Sequence, residues 1–215
     1  MRAVDVISGI AVPDTALTRD TTNFIRSVED DLLFDHSRRV FFFGAQHGRR
    51  REIEPDLELL YVGAMFHVLG LTEPYRTSSS LRFEVDGANA ARDFALQHGV
   101  DDNDARTLWM SIALHTTPGV PEFLEPEIAL LSAGVATDVL GVGRDDLSPA
   151  ELSAVTTIHP RTNFKHLFLQ ALTVGVRHRP RSATGTVNAD VLAKYDPSFH
   201  RDDFVATILD SRWSE

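Results

Sequence analysis

The sequence predicts an all-α protein built as one domain, and three observations carry that prediction. Apolar residues recur at helical spacing through nearly all of the 215 residues, while alternating runs are scarce. Helix-start residues stand ahead of several of these segments, and glycines follow others. No repeat, and no linker long enough to divide the chain, interrupts the series.

Taken in order, Thr15 to about Gly48 reads as helix, in one piece or two, with Ile25, Val28, Leu32, Val40 and Phe43 among its apolar positions. Pro55 opens a second helix, a role suited to proline in a first turn, running through Leu59, Leu60, Ala64, Met65 and Leu69 to a stop at Gly70. Thr72 to Leu81, with Pro74 and three serines, reads as loop. Asp86 or Gly87 leads into a helix ending near His98-Gly99, and Asp101 to Asp104 offer N-caps for the next, through Trp109 to about His115. Thr116 to Pro126 carries three prolines and reads as loop. Glu127 to Leu140 is helical and closed by Gly141 and Gly143; Ser148-Pro149-Ala150-Glu151 is a capping-box start. Asn163 to about His178 forms a further helix, Arg179 to Val187 a polar loop, and a short helical tail follows. The domain is therefore expected to have its core at about 20–178, with 179–215 as loop and tail.

Composition narrows the function classes. With 43% hydrophobic and 24% charged residues the chain can bury a substantial core and is not of the disordered type. A net charge of −10 argues against nucleic acid or an anionic membrane as the main partner. The basic runs Arg49–Arg51 and Arg177–Arg181 are short and separate, and are expected to be solvated surface. Absence of cysteine excludes disulfides, thiolate metal sites and a cysteine nucleophile, so a transition metal would need imidazole and carboxylate. No segment reaches about 18 uninterrupted apolar residues, and the start lacks a sustained apolar core with a clear cleavage site; the expected location is cytoplasmic.

Four ionisable residues sit on strongly apolar helix faces. They are His36 in FDHSRRVFFFG, His67 in LYVGAMFHVLGLT, His115 at the end of WMSIALH, and Asp138 in ALLSAGVATDVLG. Val40 and Phe43 share the face of His36; Leu60, Gly63 and Ala64 that of His67; Leu108 and Ile112 that of His115; Leu131, Gly134 and Val135 that of Asp138. Buried groups of this kind need partners. A shared cation is one, and backbone carbonyls or helix caps are others; periodicity alone leaves both open.

The order His36, His67, Asp138 resembles the HD superfamily. The blocks HSRRVFFFGA, ELLYVGAMFHVLGLT, RFEVDGANAAR, SIALHTTPG and GVATDVLGVG resemble its cyanamide-hydratase-like branch over roughly residues 30–170. The resemblance implies an all-helical HD-domain bundle, a divalent metal held by His36, His67 and Asp138, and hydration or hydrolysis of a small neutral nitrogen-containing molecule. It also implies that His115 steadies the transition state and that Glu84 or Asp86 positions substrate or moves a proton. Asp86 reads equally well as a helix cap; Thr72 is a candidate to offer its hydroxyl to the substrate, and reads equally well as an ordinary loop threonine. Phe66, Phe83 and Trp109 are candidates for a substrate-facing wall or for the core. His47, His98, His159, His166, His178 and His200 are expected at the surface or as caps.

One position departs from the family. Val68 follows His67 where the family has the metal-binding aspartate, and valine has no lone pair to give. Three readings remain. A zinc or iron ion stays on two histidines and one carboxylate, with reduced affinity, and activates water against a C–N or C≡N bond. A ferrous ion there activates oxygen. Alternatively the metal is lost and the pocket binds a small ligand or a partner. The first reading makes the chain an enzyme of the hydratase or hydrolase class; a homo-oligomer is left open.

Overall fold

The computed structural model describes residues 5–213. Its architecture follows from how each helix begins and ends. The first helical stretch breaks at Glu29-Asp30. Helix α1 (Ala16–Val28) starts in a capping box at Thr15, and α2 (Asp31–Arg51) starts where the Asp30 carboxylate accepts the Leu33 N–H. From His36 to Gly48 every residue of α2 is buried, so α2 is the axis of the bundle and not a surface helix.

Pro55 does not open the next helix. The Asp56 carboxylate accepts the N–H groups of Glu58 and Leu59, which places the cap one residue later, and α3 spans Leu57–Phe66. A 3₁₀ turn, Leu69–Leu71, follows. Gly70 is not its stop: a Cβ there would lie 2.2 Å from the Phe83 carbonyl oxygen, so glycine is required for close approach. The expected loop at 72–81 contains a one-turn helix, α4 (Tyr75–Ser78).

Helix α5 (Phe83–Gln97) begins ahead of Asp86, which therefore lies in its first turn and is not its cap. Helix α6 (Asp102–Leu114) is capped by Asp101. Helix α7 (Pro126–Val135) runs into a π-helical turn, Ala136–Leu140, closed by Gly141 at φ 74°. Helix α8 (Pro149–Ile158) carries the Ser148–Glu151 capping box, and α9 (Phe164–Val176), α10 (Asn188–Tyr195) and α11 (Phe204–Leu209) complete the chain. A two-residue hairpin, β1 (Val6–Ile7) with β2 (Ile10–Ala11), precedes the helices and has no counterpart in the sequence reading.

Helix α2 packs against α7 and α3, and α5 against α6. The α2–α7 crossing depends on glycine: a Cβ on Gly134 would meet the Val40 carbonyl oxygen at 2.2 Å. The main core runs through Val40–Phe43, Leu60–Phe66 and Leu130–Leu131. A smaller core of Leu33, Val68, Leu71, Phe83, Phe164 and Phe168 joins α9 and the residues beyond it to the bundle.

Two surface expectations are corrected. His47 is buried, whereas His159 is the C-cap of α8, one of the two roles expected of it, and is buried too. Arg179 is buried as well, bonding the Gly175 carbonyl at 3.1 Å, the Leu81 carbonyl at 2.9 Å, and also the Gly70 carbonyl and the Asp86 carboxylate. Arg179 alone thus fastens α5, α9 and the 3₁₀ turn together, while most of the stretch after it is exposed as expected. Among the described residues no helix is long and apolar enough to cross a membrane.

Candidate functional site

Three helices deliver three imidazoles to one place. His36 comes from the middle of α2, while His67 and His115 are the C-cap residues of α3 and α6. A C-cap histidine can donate back to a free carbonyl of its own helix. His67 Nδ1–H does so to Ala64 O at 2.7 Å, and His115 Nδ1–H to Ile112 O at 2.6 Å. These bonds fix the tautomers and leave each Nε2 as an acceptor. His36 Nδ1–H donates to Asp138 Oδ2 at 2.7 Å, so its Nε2 is an acceptor too.

His36 Nε2 lies 3.1 Å from His67 Nε2. Two lone pairs face each other there, and the pair calls for a shared positive atom. Burial lowers the pKa of all three imidazoles, and for His67 the neighbouring His36 and His115 deepen the effect. Neutral, acceptor-presenting rings are the result.

Asp138 stands on the other side of His36. Arg39 grips it with two bonds, Nε to Oδ1 at 2.8 Å and Nη2 to Oδ2 at 2.9 Å, and Arg161 Nη1 bonds both Oδ1 and the Asp138 carbonyl, the latter at 2.6 Å. Burial opposes ionisation of this carboxyl, but the bonds and charges of His36 and Arg39 prevail and hold it far below the usual carboxylate range. Both oxygens are thus committed to guanidinium and imidazole.

The expected ligands His36, His67 and Asp138 therefore do not form one donor set. Asp138 meets the Nδ1 edge of His36, whereas His67 meets the Nε2 edge. Val68 is buried in the smaller core and supplies no donor. Among the described residues no group of three histidine or acidic side chains could hold an ion. A catalytic zinc takes three protein ligands, and His36, His67 and His115 are not disposed as such a group.

A cavity of about 440 Å³ opens on the imidazoles, lined by His36, His67, Val68, Phe83, His115 and Phe168 among mostly apolar residues. Thr116 and Asn188, on the same lining, both donate to Glu84 Oε1, at 2.6 and 3.3 Å. Glu84 Oε2 and Asn188 Oδ1 are buried and have no hydrogen-bond partner among the described residues. Glu84 and Phe83 are thus brought to the site together with the three histidines.

Four other expected residues are not at the cavity. Asp86 is held by Ser79 Oγ at 2.7 Å and by Arg179. Thr72 Oγ1 donates to Leu69 O at 2.7 Å, and Trp109 Nε1 to Asn89 Oδ1 at 2.8 Å. Phe66 packs between Phe24 and Phe94, with ring centroids at 5.6 and 5.3 Å. The sequence reading missed Arg39, Arg161, Phe168 and Asn188. Arg39 left a signal: an arginine within a run of buried aromatic residues needs a counter-charge.

The fold and the site together define a helical bundle in which histidines converge from separate helices on one cavity. Residues 33–147 match the HD domain family, and the chain belongs to that family. Membership carries the family's association with divalent metals and hydrolase-type chemistry. No curated protein matches the chain.

Proposed function

We propose that the cavity binds a small, neutral, largely apolar molecule that presents N–H or O–H donors, and that it does so without the metal centre of the family. One observation carries this reading. The neutral His36 and His67 imidazoles present facing lone pairs, while Asp138, the remaining expected ligand, is spent on Arg39 and Arg161. An unsatisfied acceptor surface in an apolar cavity recognises donors, and Asn188, which lines the cavity with an unpartnered Oδ1, adds to it. Thermal-shift screening of small amides, ureas, cyanamide and alcohols in chelator tests the reading, because a ligand stabilises by mass action whether or not it turns over. A Tm rise that His67→Ala abolishes supports it. Binding that appears only after zinc, iron or manganese is added sinks it.

The same geometry favours a catalytic version. An imidazole lone pair in a small apolar cavity can take a proton from water, so hydration or hydrolysis of a C–N or C≡N bond would rest on histidine as general base. Product analysis with cyanamide, small nitriles and amides in chelator checks this. Turnover absent there but present in Val68→Asp loaded with metal assigns the chemistry to the family's centre and not to this chain.

A further inference from the structure

A second cavity, of about 450 Å³, lies between the π-helical turn, α8 and α9, on the side of Asp138 away from His36. Its lining brings together Arg144, Arg161 and Lys165, with Asp138 as the sole carboxylate among the lining residues. Asp138 carries one negative charge and shares it between Arg39 in the bundle interior and Arg161, so it offsets the cleft's cations only in part. In a chain of net charge −10, such an excess of positive charge needs a reason.

The three cations differ in how they are held. Arg161 is fixed: Nη1 is bonded to Asp138, and the guanidinium lies 4.4 Å from the centre of the Phe164 ring. Its Nε and Nη2 have no protein partner among the described residues, which leaves a pre-oriented donor edge. Lys165 has no ion-pair partner among the described residues, and Arg144 has only a 3.5 Å contact to the exposed Asp145. Thr137 and Thr156 also line the cleft, but both hydroxyls donate to backbone carbonyls, so the cations are the donors on offer.

We propose that this cleft binds a small dianion of phosphate or dicarboxylate size, on the fixed edge of Arg161 and the exposed charges of Lys165 and Arg144. Three positive groups around a cavity this small suit two negative charges, and the open mouth suits a soluble anion. The site is separate from the imidazole cavity, and neither Lys165 nor Arg144 lines that one.

Calorimetric titration of the full chain with inorganic phosphate, and separately with malonate, at ionic strength held constant with sodium chloride, tests the proposal. At least one of the two is expected to bind saturably, and Lys165→Ala and Arg144→Ala each to weaken it about 10-fold, as for loss of a charged hydrogen bond. Both positions are exposed, so their folds are expected to hold, and a circular dichroism melt checks this. Absence of saturable binding by either anion, or unchanged affinity in both variants, overturns the proposal.

Discussion

Asp138 is the residue on which the site turns, and its environment makes strong predictions. Asp138→Asn keeps the shape but strips the charge that neutralises the fully buried Arg39. Removing one partner of a buried pair costs roughly 3–5 kcal/mol, so the variant is expected to melt about 10 °C lower. Arg161, about a third exposed, can turn to water, and Arg161→Ala is expected to cost less. Chemical denaturation of the two variants in parallel checks the ranking. Glu29 predicts the opposite sign. Burial raises its pKa well above the usual carboxylate value, partly offset by Ser37. The folded state therefore holds a proton that the unfolded chain releases, and stability is lost as pH rises above the unfolded value of about 4.5. Glu29→Gln removes that loss. Its Tm is expected to exceed that of the parent at pH 8 by about 2 °C or more, with little difference at pH 4, as scanning calorimetry at the two pH values would show.

Among the helices, the α2–α7 crossing is the most exacting. Gly134→Ala would set a methyl 2.2 Å from the Val40 carbonyl, so the helices must separate at the place that positions His36. A loss of about 1–3 kcal/mol is expected from such overpacking, with weakened ligand binding alongside it. Urea unfolding and the thermal-shift screen measure the two effects. The all-helical class, the capping box at Ser148 and the Asp101 cap were legible because local side-chain chemistry sets them. The ends at Pro55 and Gly70 were misread for different reasons: the Asp56 carboxylate caps α3 locally just past the proline, and Gly70 answers to Phe83 across the structure. At the site, the apolar faces revealed His36, His67 and His115. They could not reveal that Asp138 turns toward arginines, since Arg161 lies far along the chain on the approach to α9. Nor could they bring Arg144 to Arg161 and Lys165, which it meets only after folding.

For the molecule as a whole, acid is the expected weakness. His36, His67 and His115 all have pKa values lowered by burial, and His47 and His159 share the effect. Below the unfolded value of 6.5, unfolded chains take up protons that the folded state refuses, so stability is lost as pH falls. Each such histidine steepens the loss by up to about 1.4 kcal/mol per pH unit. Denaturant midpoints between pH 7.5 and 5 are expected to fall steadily, and a flat profile would mean the imidazoles ionise freely in the fold. A ligand seated on the imidazoles should deepen the dependence, since protonation would have to displace it.

Phe168, Leu172, Val187 and Asn188 line the imidazole cavity from beyond residue 147, where the match to the HD domain ends. The histidines lie within the matched residues, and part of the wall facing them lies beyond. Phe168 also packs edge-on against His36, with ring centroids 4.7 Å apart, so an exchange there would disturb the imidazole as well as the wall. Exchanges at Leu172 and Val187 are the ones expected to change which molecule fits while the histidines keep their places.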